Sequence, residues 1–307
     1  MTNMAALMHN IHIFERGWLS SNNILITGES GTALIDSGYC THAEQTLSLV
    51  DSVLQGRALD VLINTHLHSD HCGGNAALQA RYPALQTHIP PGHAAQVAAW
   101  DAQALGYIPT GQNCPRFGFT ATLQPGTEMR LGDAQWQVHA APGHDPHSVI
   151  LFEPARRVLV SADALWERGF GVVFPELEGE DAFDEVAATL DLIEALQPAV
   201  IIPGHGALFT DVSDALARAR QRLDGFVGNP AKHLLHAAKV LLKYKLLEFQ
   251  SIDHADLHAW MQATPYCAML LQRCYQQATA SEAFDALLQD LVRSGVASVN
   301  GSMVHNA

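Results

Sequence analysis

A cluster of histidines directly after a short apolar run constrains this chain more than any other feature. The run at 61–64 is a predicted buried strand, and His66, His68, Asp70 and His71 lie in a stretch of six residues shortly after it. Residues two apart in an extended strand exit face the same side, so His66 and His68 can bind one metal ion together. Asp70 and His71 come after the chain turns and can face a second metal beside the first. Imidazole and carboxylate ligands suit zinc, and also iron or manganese.

The same stretch resembles the signature of a known family once the residues after it are included. The pattern HxHxDH followed by Gly73-Gly74 is similar to that of the metallo-β-lactamase superfamily. That family adds a histidine after Pro-Gly, an aspartate after a strand, and a late histidine beside glycine. This chain has a suitable residue at each place: His144, Asp163 and His205. The resemblance covers residues 9–225.

The resemblance implies seven metal ligands in two groups that share one aspartate: His66, His68 and His144 for one ion, Asp70, His71 and His205 for the other, and Asp163 as the bridge. It therefore implies two divalent metal ions, with zinc expected and iron or manganese as alternatives. Two such ions about 3.5–4 Å apart lower the pKa of a water between them and polarise a substrate oxygen. The bridging hydroxide would attack the substrate, and Asp70 is the expected catalytic residue that orients it.

The order of predicted elements favours a sheet-rich α/β sandwich in the first part of the chain. Runs rich in β-forming residues predict strands at 11–14, 23–26, 32–36, 61–64, 135–140, 148–153, 157–161 and 199–202. Apolar residues at helical spacing predict helices at 41–54, 182–196 and 212–223. The resemblance implies, more specifically, the αββα four-layer sandwich of the metallo-β-lactamase fold.

A second, smaller domain is predicted at 226–307. Residues 1–225 carry the whole formal charge of −14, whereas residues 226–307 have equal numbers of basic and acidic residues and all four lysines. Glycine, asparagine and proline at 225–230 break local structure at the junction. Three helices are predicted at 231–249, 254–262 and 281–294, before two β-prone runs around Asn300-Gly301, a strong hairpin signal. This helical domain with a hairpin resembles a winged-helix domain.

Candidate substrate-binding residues come from segments that follow the predicted strands, because such loops commonly carry specificity. They are His147, Trp166, Phe170, Phe174 and Tyr107. The three aromatic residues at 166–174 either line an apolar acyl pocket or cover the edge of the core. His147 stands where the family usually has glycine, and it either faces the site or is a surface histidine. Asp145 either holds a ligand imidazole or belongs to a turn.

The leading hypothesis is a metal-dependent hydrolase of a small ester-like bond. The expected substrate is a thioester, which an acyl thioesterase or a hydroxyacylglutathione hydrolase would cleave. The ligand set is like that of glyoxalase II, and the segment at 165–175, which is expected to rim the pocket, is apolar and aromatic. However, Asn229-Pro230 is followed by Ala231, which departs from the glutathione-binding segment of glyoxalase II. A lactonase uses the same ligands and stays open as an alternative. A metal-dependent ribonuclease or phosphodiesterase is disfavoured, since phosphate binding needs basic faces and the metal-bearing part is acidic.

Several sequence features bear on location and partners. No apolar run approaches 18 residues, so no transmembrane helix is expected. The N-terminal residues lack the basic and apolar regions of a secretory signal, and the five cysteines form no CxxC pair. We therefore expect a cytoplasmic protein that acts on a small-molecule substrate, with no nucleic acid and no membrane as partners. The sequence leaves a homodimer open.

Overall fold

The computed structural model describes residues 4–307, which form two compact units. The first unit comprises residues 4–105 and 113–223, and the second comprises residues 106–112 and 224–307. This division differs from the predicted one chiefly because residues 106–112, in the middle of the first part, cluster with the second unit. Among the described residues, no helix is both long and apolar enough to cross a bilayer.

Six strands of the first unit form a mixed sheet whose spatial order follows the chain: β1 Ile11–Phe14, β2 Asn23–Thr27, β3 Thr32–Ile35, β4 Val61–Ile63, β5 Gln86–Ile89 and β6 Ala121–Thr122. β1, β2 and β3 pair antiparallel, whereas β3, β4, β5 and β6 run parallel. The carboxyl ends of β3 and β4 therefore meet at one edge, where parallel sheets commonly bind ligands.

Five strands form the second sheet of this unit: β7 Glu128–Leu131, β8 Ala134–Ala140, β9 Val149–Glu153, β10 Val158–Ala162 and β11 Val200–Pro203. Their spatial order is β11-β10-β9-β8-β7, and only β10 and β11 pair parallel. The residues that follow β10 and β11 are thus also brought side by side. Strands β5, β6 and β7 were not predicted, because they are short and carry polar residues that hide the alternating pattern.

The helices before residue 178 are mostly one or two turns long: α1 Met4–Leu7, α2 Ala43–Leu54 after a 3-10 turn at Cys40–His42, α3 Ser69–Cys72, α4 Asn75–Arg81, α5 Ala94–Ala99, α6 Tyr107–Thr110 and α7 Phe174–Glu178. The longer helices α8 Phe183–Leu196 and α9 Val212–Val227 follow. Of these helices, α6 belongs to the second unit.

The core of the first unit lies between its two sheets. Apolar side chains of both sheets interdigitate there: Ile24, Ile35 and Ile63 from the first, and Val138, Leu151 and Val160 from the second. On the other face of the first sheet, Leu34 and Leu62 pack against Leu54 of α2 and Leu78 of α4. Every residue of β9 and β10 is buried, so the outer face of the second sheet is covered as well. The predicted αββα sandwich is confirmed, and each of these buried aliphatic side chains contributes about 1.5–3 kcal/mol.

The second unit contains α6 and the elements after residue 229: α10 Pro230–Phe249, β12 Ser251–Asp253, α11 His254–Ala263, α12 Pro265–Cys274, α13 Ala280–Arg293, β13 Ala297–Asn300 and β14 Met303–Asn306. Its strands form an antiparallel sheet in the order β12-β14-β13. The hairpin predicted at Asn300-Gly301 is present. Helix α12 and the three-residue strand β12 were not predicted, because no pattern in the sequence distinguishes them and only their packing against neighbouring elements defines them.

Candidate metal centre

Three histidines from two loops form the first group of the site. His66 and His68 lie between β4 and α3, and His144 lies in the turn between β8 and β9. Nδ1 of His68 is 2.8 Å from Nε2 of His144, and the ring centre of His66 is 4.6 Å and 5.0 Å from the other two rings. One nitrogen of each residue lies within 4.8 Å of the others, so the group could hold one metal ion.

The second group contains Asp70, His71, Asp163 and His205, whose ligand atoms also lie within 4.8 Å of one another. Nε2 of His205 is 3.1 Å from Oδ2 of Asp70. Asp70 and His71 belong to the one-turn helix α3, whereas Asp163 and His205 follow the parallel strands β10 and β11. The sheet topology therefore joins residues that are up to 135 positions apart in the chain.

Asp163 lies between the two groups. Its Oδ1 is 3.4 Å from Nε2 of His71, while its Oδ2 is 3.4 Å from Nε2 of His144 and 3.8 Å from Nε2 of His205. The structure thus brings together all seven residues that the resemblance implies as ligands, with Asp163 in the shared position.

The backbone around Asp163 is adapted to this position. The register of β10 shifts between Val160 and Ala162, and Ala162 has a φ of 46°, which side-chain-bearing residues rarely adopt. Such strained residues cluster at functional sites. A Cβ on Gly204 would lie 2.2 Å from Oδ1 of Asp163 and 3.0 Å from Cε1 of His71. Only glycine leaves room there for both side chains.

Asp36, which was not predicted as a site residue, fixes the imidazole of His71. It follows β3 with a φ of 57° and is 2% exposed. Its Oδ2 accepts from Nδ1 of His71 at 2.7 Å, and both of its oxygens accept hydrogen bonds from Thr65. The ring of His71 is therefore held with Nε2 towards Asp163. A carboxylate that orients a metal-binding histidine in this way raises its basicity.

His144 is held by the segment after β10. Its Nδ1 donates to the carbonyl oxygen of Val172 at 2.5 Å, which leaves Nε2 to face the site. A Cβ on the preceding Gly171 would lie 2.3 Å from Nδ1 of His144, so glycine is required for this close approach. The segment at 165–175, predicted as a rim of the pocket, thus also holds the ring of His144.

Asp145 and His147, which closely follow His144 in sequence, contact different residues. Asp145 is buried, with Oδ2 3.9 Å from Nε2 of His68, while its Oδ1 accepts from the backbone N–H of His147. Asp145 therefore both faces His68 and closes a turn. The ring of His147 packs edge-on against His93 at 4.5 Å and covers Gly92.

The four aromatic residues that were predicted to bind substrate lie in different parts of the structure. The ring of Phe174 lies 4.8 Å from that of His68, beside the first group. Trp166 lies beside the second group, where its Nε1 donates to Oδ1 of Asp163 at 3.2 Å. Phe170 is 1% exposed and packs under the guanidinium of Arg222, so it belongs to the core. Tyr107 is buried within the second unit.

Trp18, in the loop between β1 and β2, is a further aromatic residue at the site that sequence reasoning missed. Its ring stacks on His205 with centres 5.3 Å apart and planes 9° apart, and it is 54% exposed. No motif marks Trp18. Asp36, by contrast, could have been inferred as a polar residue at the end of a strand parallel to β4.

The charges of the site favour a cation. Burial, with the neighbouring His71, lowers the pKa of His66 well below its ordinary value. Burial, with His144, lowers the pKa of His68 to about 4. Burial opposes ionisation of Asp70 and Asp163, yet His71 and His205 lower the pKa of both carboxyl groups. The neutral imidazoles of His66 and His68 and the ionised carboxylates are thus in the state that binds divalent metals. In contrast, Asp163, Asp36 and Asp70 outweigh burial and raise the pKa of His71 well above its ordinary value, so a metal ion bound there would replace a proton.

Comparison with known sequences agrees with the family resemblance of the ligand pattern. Residues 16–205 match the family model described as the metallo-beta-lactamase superfamily. A hydroxyacylglutathione hydrolase of Synechococcus sp. (strain JA-3-3Ab) is 29% identical over 190 residues, 62% of this chain and 65% of that protein. One of Brucella anthropi is 27% identical over 185 residues, 58% of this chain and 55% of that protein. The chain thus spans less than two thirds of the length of these two relatives.

A third relative and two solved structures extend the comparison. The human acyl-coenzyme A thioesterase MBLAC2 is 25% identical over 213 residues, 63% of this chain and 76% of that protein. The metallo-beta-lactamase family protein TTHA1429 of Thermus thermophilus has a TM-score of 0.54 at 17% identity, covering 97% of this chain and 99% of that one. TTHA1623, solved in a di-iron-bound form, has a TM-score of 0.54 at 26% identity, covering 68% and 98%.

Proposed function

The chain belongs to the metallo-β-lactamase superfamily, and we propose that it is a hydrolase that uses two divalent metal ions to cleave a thioester of a small acyl group. The observation that carries this proposal is the position of Asp163. One of its carboxylate oxygens faces His71 and the other faces His144, so a single side chain serves both groups.

The residues present fit a pair of metal ions. Nε2 of His66 and Nε2 of His71 are buried, and neither has a hydrogen-bond partner within residues 4–307. Leaving a buried polar atom unpaired costs about 1–3 kcal/mol, which ligation would recover. The proposed ligands are His66, His68 and His144 in one group and Asp70, His71 and His205 in the other, with Asp163 shared. This nitrogen and oxygen donor set suits zinc, with iron and manganese as alternatives.

A bound pair of divalent ions supplies an acidified water and polarises the carbonyl oxygen of the substrate. The chain's own contribution begins with Asp70, the proposed catalytic residue. Its side chain is 13% exposed, so solvent reaches it. Its lowered pKa keeps the carboxylate ionised near neutral pH, and Oδ1 or Oδ2 can accept a hydrogen bond from the attacking water. Asp70 would thereby orient the water towards the carbonyl carbon.

Several observations support a thioester as the substrate. Two of the relatives are named hydroxyacylglutathione hydrolase and one is named acyl-coenzyme A thioesterase, and these names denote enzymes that act on acyl thioesters. The three proteins are 25–29% identical to this chain over the matched residues. Phe174 next to His68 and Trp166 next to His205 offer apolar surface on both sides of the site for an acyl group. The formal charge of −14, carried by residues 1–225, disfavours a polyanionic substrate such as RNA. We assign catalysis to residues 1–225, and residues 226–307 remain a predicted winged-helix-like domain.

A hydrolysis panel combined with metal analysis tests the proposal. The purified protein is assayed with acyl-CoA and glutathione thioesters, lactones, bis-nitrophenyl phosphate and short RNA, and its metal content is measured. We expect two metal ions per chain and the highest kcat/KM with a thioester. A single metal ion per chain would contradict the two-metal arrangement. Activity confined to lactones or to phosphodiesters would instead overturn the proposed substrate class.

A further inference from the structure

The ligand histidines of the site are not all fixed in the same way. His71 donates from Nδ1 to Asp36, and His144 donates from Nδ1 to the carbonyl of Val172. In His205, Nε2 faces Asp70, but the buried Nδ1 has no hydrogen-bond partner anywhere in the described part of the chain. The plane of this imidazole is therefore not fixed by a second hydrogen bond at Nδ1, as it is in His71 and His144, and depends more on the packing around the ring.

Two tryptophans enclose the ring of His205. Trp18 lies parallel to it, with centres 5.3 Å apart and planes 9° apart. Trp166 meets it edge-on at 5.6 Å and 81°, and the two indole rings contact each other at 5.2 Å and 72°. Stacked and edge-on aromatic pairs at these distances contribute about 0.5–1.5 kcal/mol each beyond the area they bury. The imidazole is thus confined in two directions by apolar rings.

The backbone that carries Trp18 is anchored to the backbone that carries His205. Asn22, 1% exposed, donates from Nδ2 to the carbonyls of Pro203 and Gly206, at 3.0 Å and 2.7 Å. Its backbone N–H donates to Gly204 at 2.6 Å, and its Oδ1 accepts from the backbone N–H of Arg16 at 3.0 Å. Asn22 therefore ties the loop at 15–22 to both sides of His205, and Trp18 is held at a fixed distance from the imidazole.

We propose that Trp18 is a positioning residue for His205. The affinity of the second group for its metal ion then depends on Trp18, although Trp18 itself offers no ligand atom. The inference rests on the proposed function, because it takes His205 as a ligand. Trp18 is 54% exposed, so its truncation opens no core cavity and its role is not that of a core residue. An exposed indole that lies flat on a buried imidazole instead limits how far that imidazole can rotate.

The test measures metal binding and needs no substrate. Metal-free wild-type protein and the variants Trp18→Ala, Trp18→Phe and His205→Ala are titrated with Co²⁺ against a competing chelator, and visible absorption reports each bound ion. We expect Trp18→Ala to weaken the second ion by about 10- to 100-fold, the usual cost of losing a residue that supports a ligand. The first ion should bind as in the wild type. Trp18→Phe, which keeps a flat ring, should recover most of the loss.

Matched controls separate this role from a general loss of structure. Phe249→Ala removes an aromatic residue of similar exposure, 50%, in the second unit and should leave both affinities unchanged. Metal-free Trp18→Ala should still unfold in one cooperative transition, only a few degrees below the wild type, because it loses no more than two ring contacts. Equal weakening of both ions, wild-type affinity for both, or no recovery in Trp18→Phe would each overturn the inference. If His205→Ala still binds two ions tightly, the ligand assignment fails and the proposed function fails with it. If His205→Ala loses one ion and Trp18→Ala loses none, only the inference fails.

Discussion

Nδ1 of His71 donates to Oδ2 of Asp36 across 2.7 Å in the interior of the first unit, where both side chains are almost fully buried. This bond joins the end of β3 to the helix that carries two proposed ligands. Because Asp36 accepts from Nδ1, Nε2 is the nitrogen of His71 that is left to face Asp163. The hydrogen bond thus determines which nitrogen the site can use.

Asp36→Asn should therefore weaken metal binding without removing a ligand. The amide can present a donor to Nδ1 of His71, and the ring then loses its preferred tautomer. We expect a loss of about 10- to 100-fold in affinity for the second ion, as measured by chelator competition. Asp181→Asn, at an exposed position, is the matched control and should bind as the wild type. Unchanged affinity in Asp36→Asn would show that Asp36 has no orienting role.

His68→Ala should remove one metal ion and the hydrolytic activity. The substitution deletes a proposed ligand of the first group, so the fall in kcat/KM should exceed the roughly 100-fold that loss of a supporting residue costs. Metal analysis and thioester hydrolysis measure the two effects. His139→Ala changes a histidine of β8 outside both groups and should be neutral. Retained activity in His68→Ala would place the active site elsewhere.

The stability of the metal-free protein should fall between about pH 6.5 and pH 4. Burial lowers the pKa of His68 to about 4 in the folded chain, whereas the ordinary value is 6.5. Between these values the unfolded chain binds a proton that the folded chain does not, so the contribution of His68 is full above pH 6.5 and decreases as the pH falls. Urea unfolding at several pH values measures this slope. His68→Gln should show a shallower slope, and an equally steep one would assign the effect to other groups.

Gly204→Ala should disrupt both metal groups. The added Cβ would lie 2.2 Å from Oδ1 of Asp163 and close to backbone atoms of Ala162, so Asp163 must move from its shared position. We expect a loss of about 1–3 kcal/mol in the free energy of unfolding and weaker binding of both ions. Gly17→Ala is the control, because nothing lies within 4 Å of its Cβ. Denaturant unfolding and metal titration measure the outcome, and tight binding of two ions by Gly204→Ala would refute the steric argument.

Phe174→Ala should raise KM for thioesters with apolar acyl groups and leave the metal content unchanged. Its ring packs beside His68, so truncation removes apolar surface at the first group without touching a ligand atom. A loss of about 1–3 kcal/mol in binding corresponds to roughly a tenfold or larger rise in KM. Steady-state kinetics with acetyl and longer acyl thioesters measure it. An equal effect on all acyl lengths would mean that Phe174 does not contact the acyl chain.

The α/β class of the first unit and four of the proposed ligands could be predicted from local patterns. His66, His68, Asp70 and His71 are close in sequence, and the apolar run before them is a strand. His144, Asp163 and His205 required the family resemblance, since only the parallel pairing of β10 with β11 brings the last two together.

Of the residues that support the proposed ligands, only Asp36 could have been inferred from the sequence, by its place at the end of a strand. Asp36, Asn22 and Trp18 act through contacts between distant segments, and none belongs to a motif with fixed spacing. Aromatic character alone also misled at Phe170, where burial under Arg222 and not exposure at the site accounts for the side chain. Packing decides such positions, and packing depends on the whole fold.

The assignment of residues 106–112 to the second unit has a consequence for how the protein is synthesised. This segment leaves the ribosome more than about a hundred residues before the helices with which it clusters, and Gly111 lies so close to Trp260 and Thr264 that a Cβ there would clash. The sequence of the first unit is interrupted by residues 106–112, which belong to the second unit. The second unit cannot be completed in simple N- to C-terminal order, because residues 106–112 must await helices that are synthesised after the whole of the first unit. Deleting the C-terminal residues would therefore leave α6 without the helices it packs against.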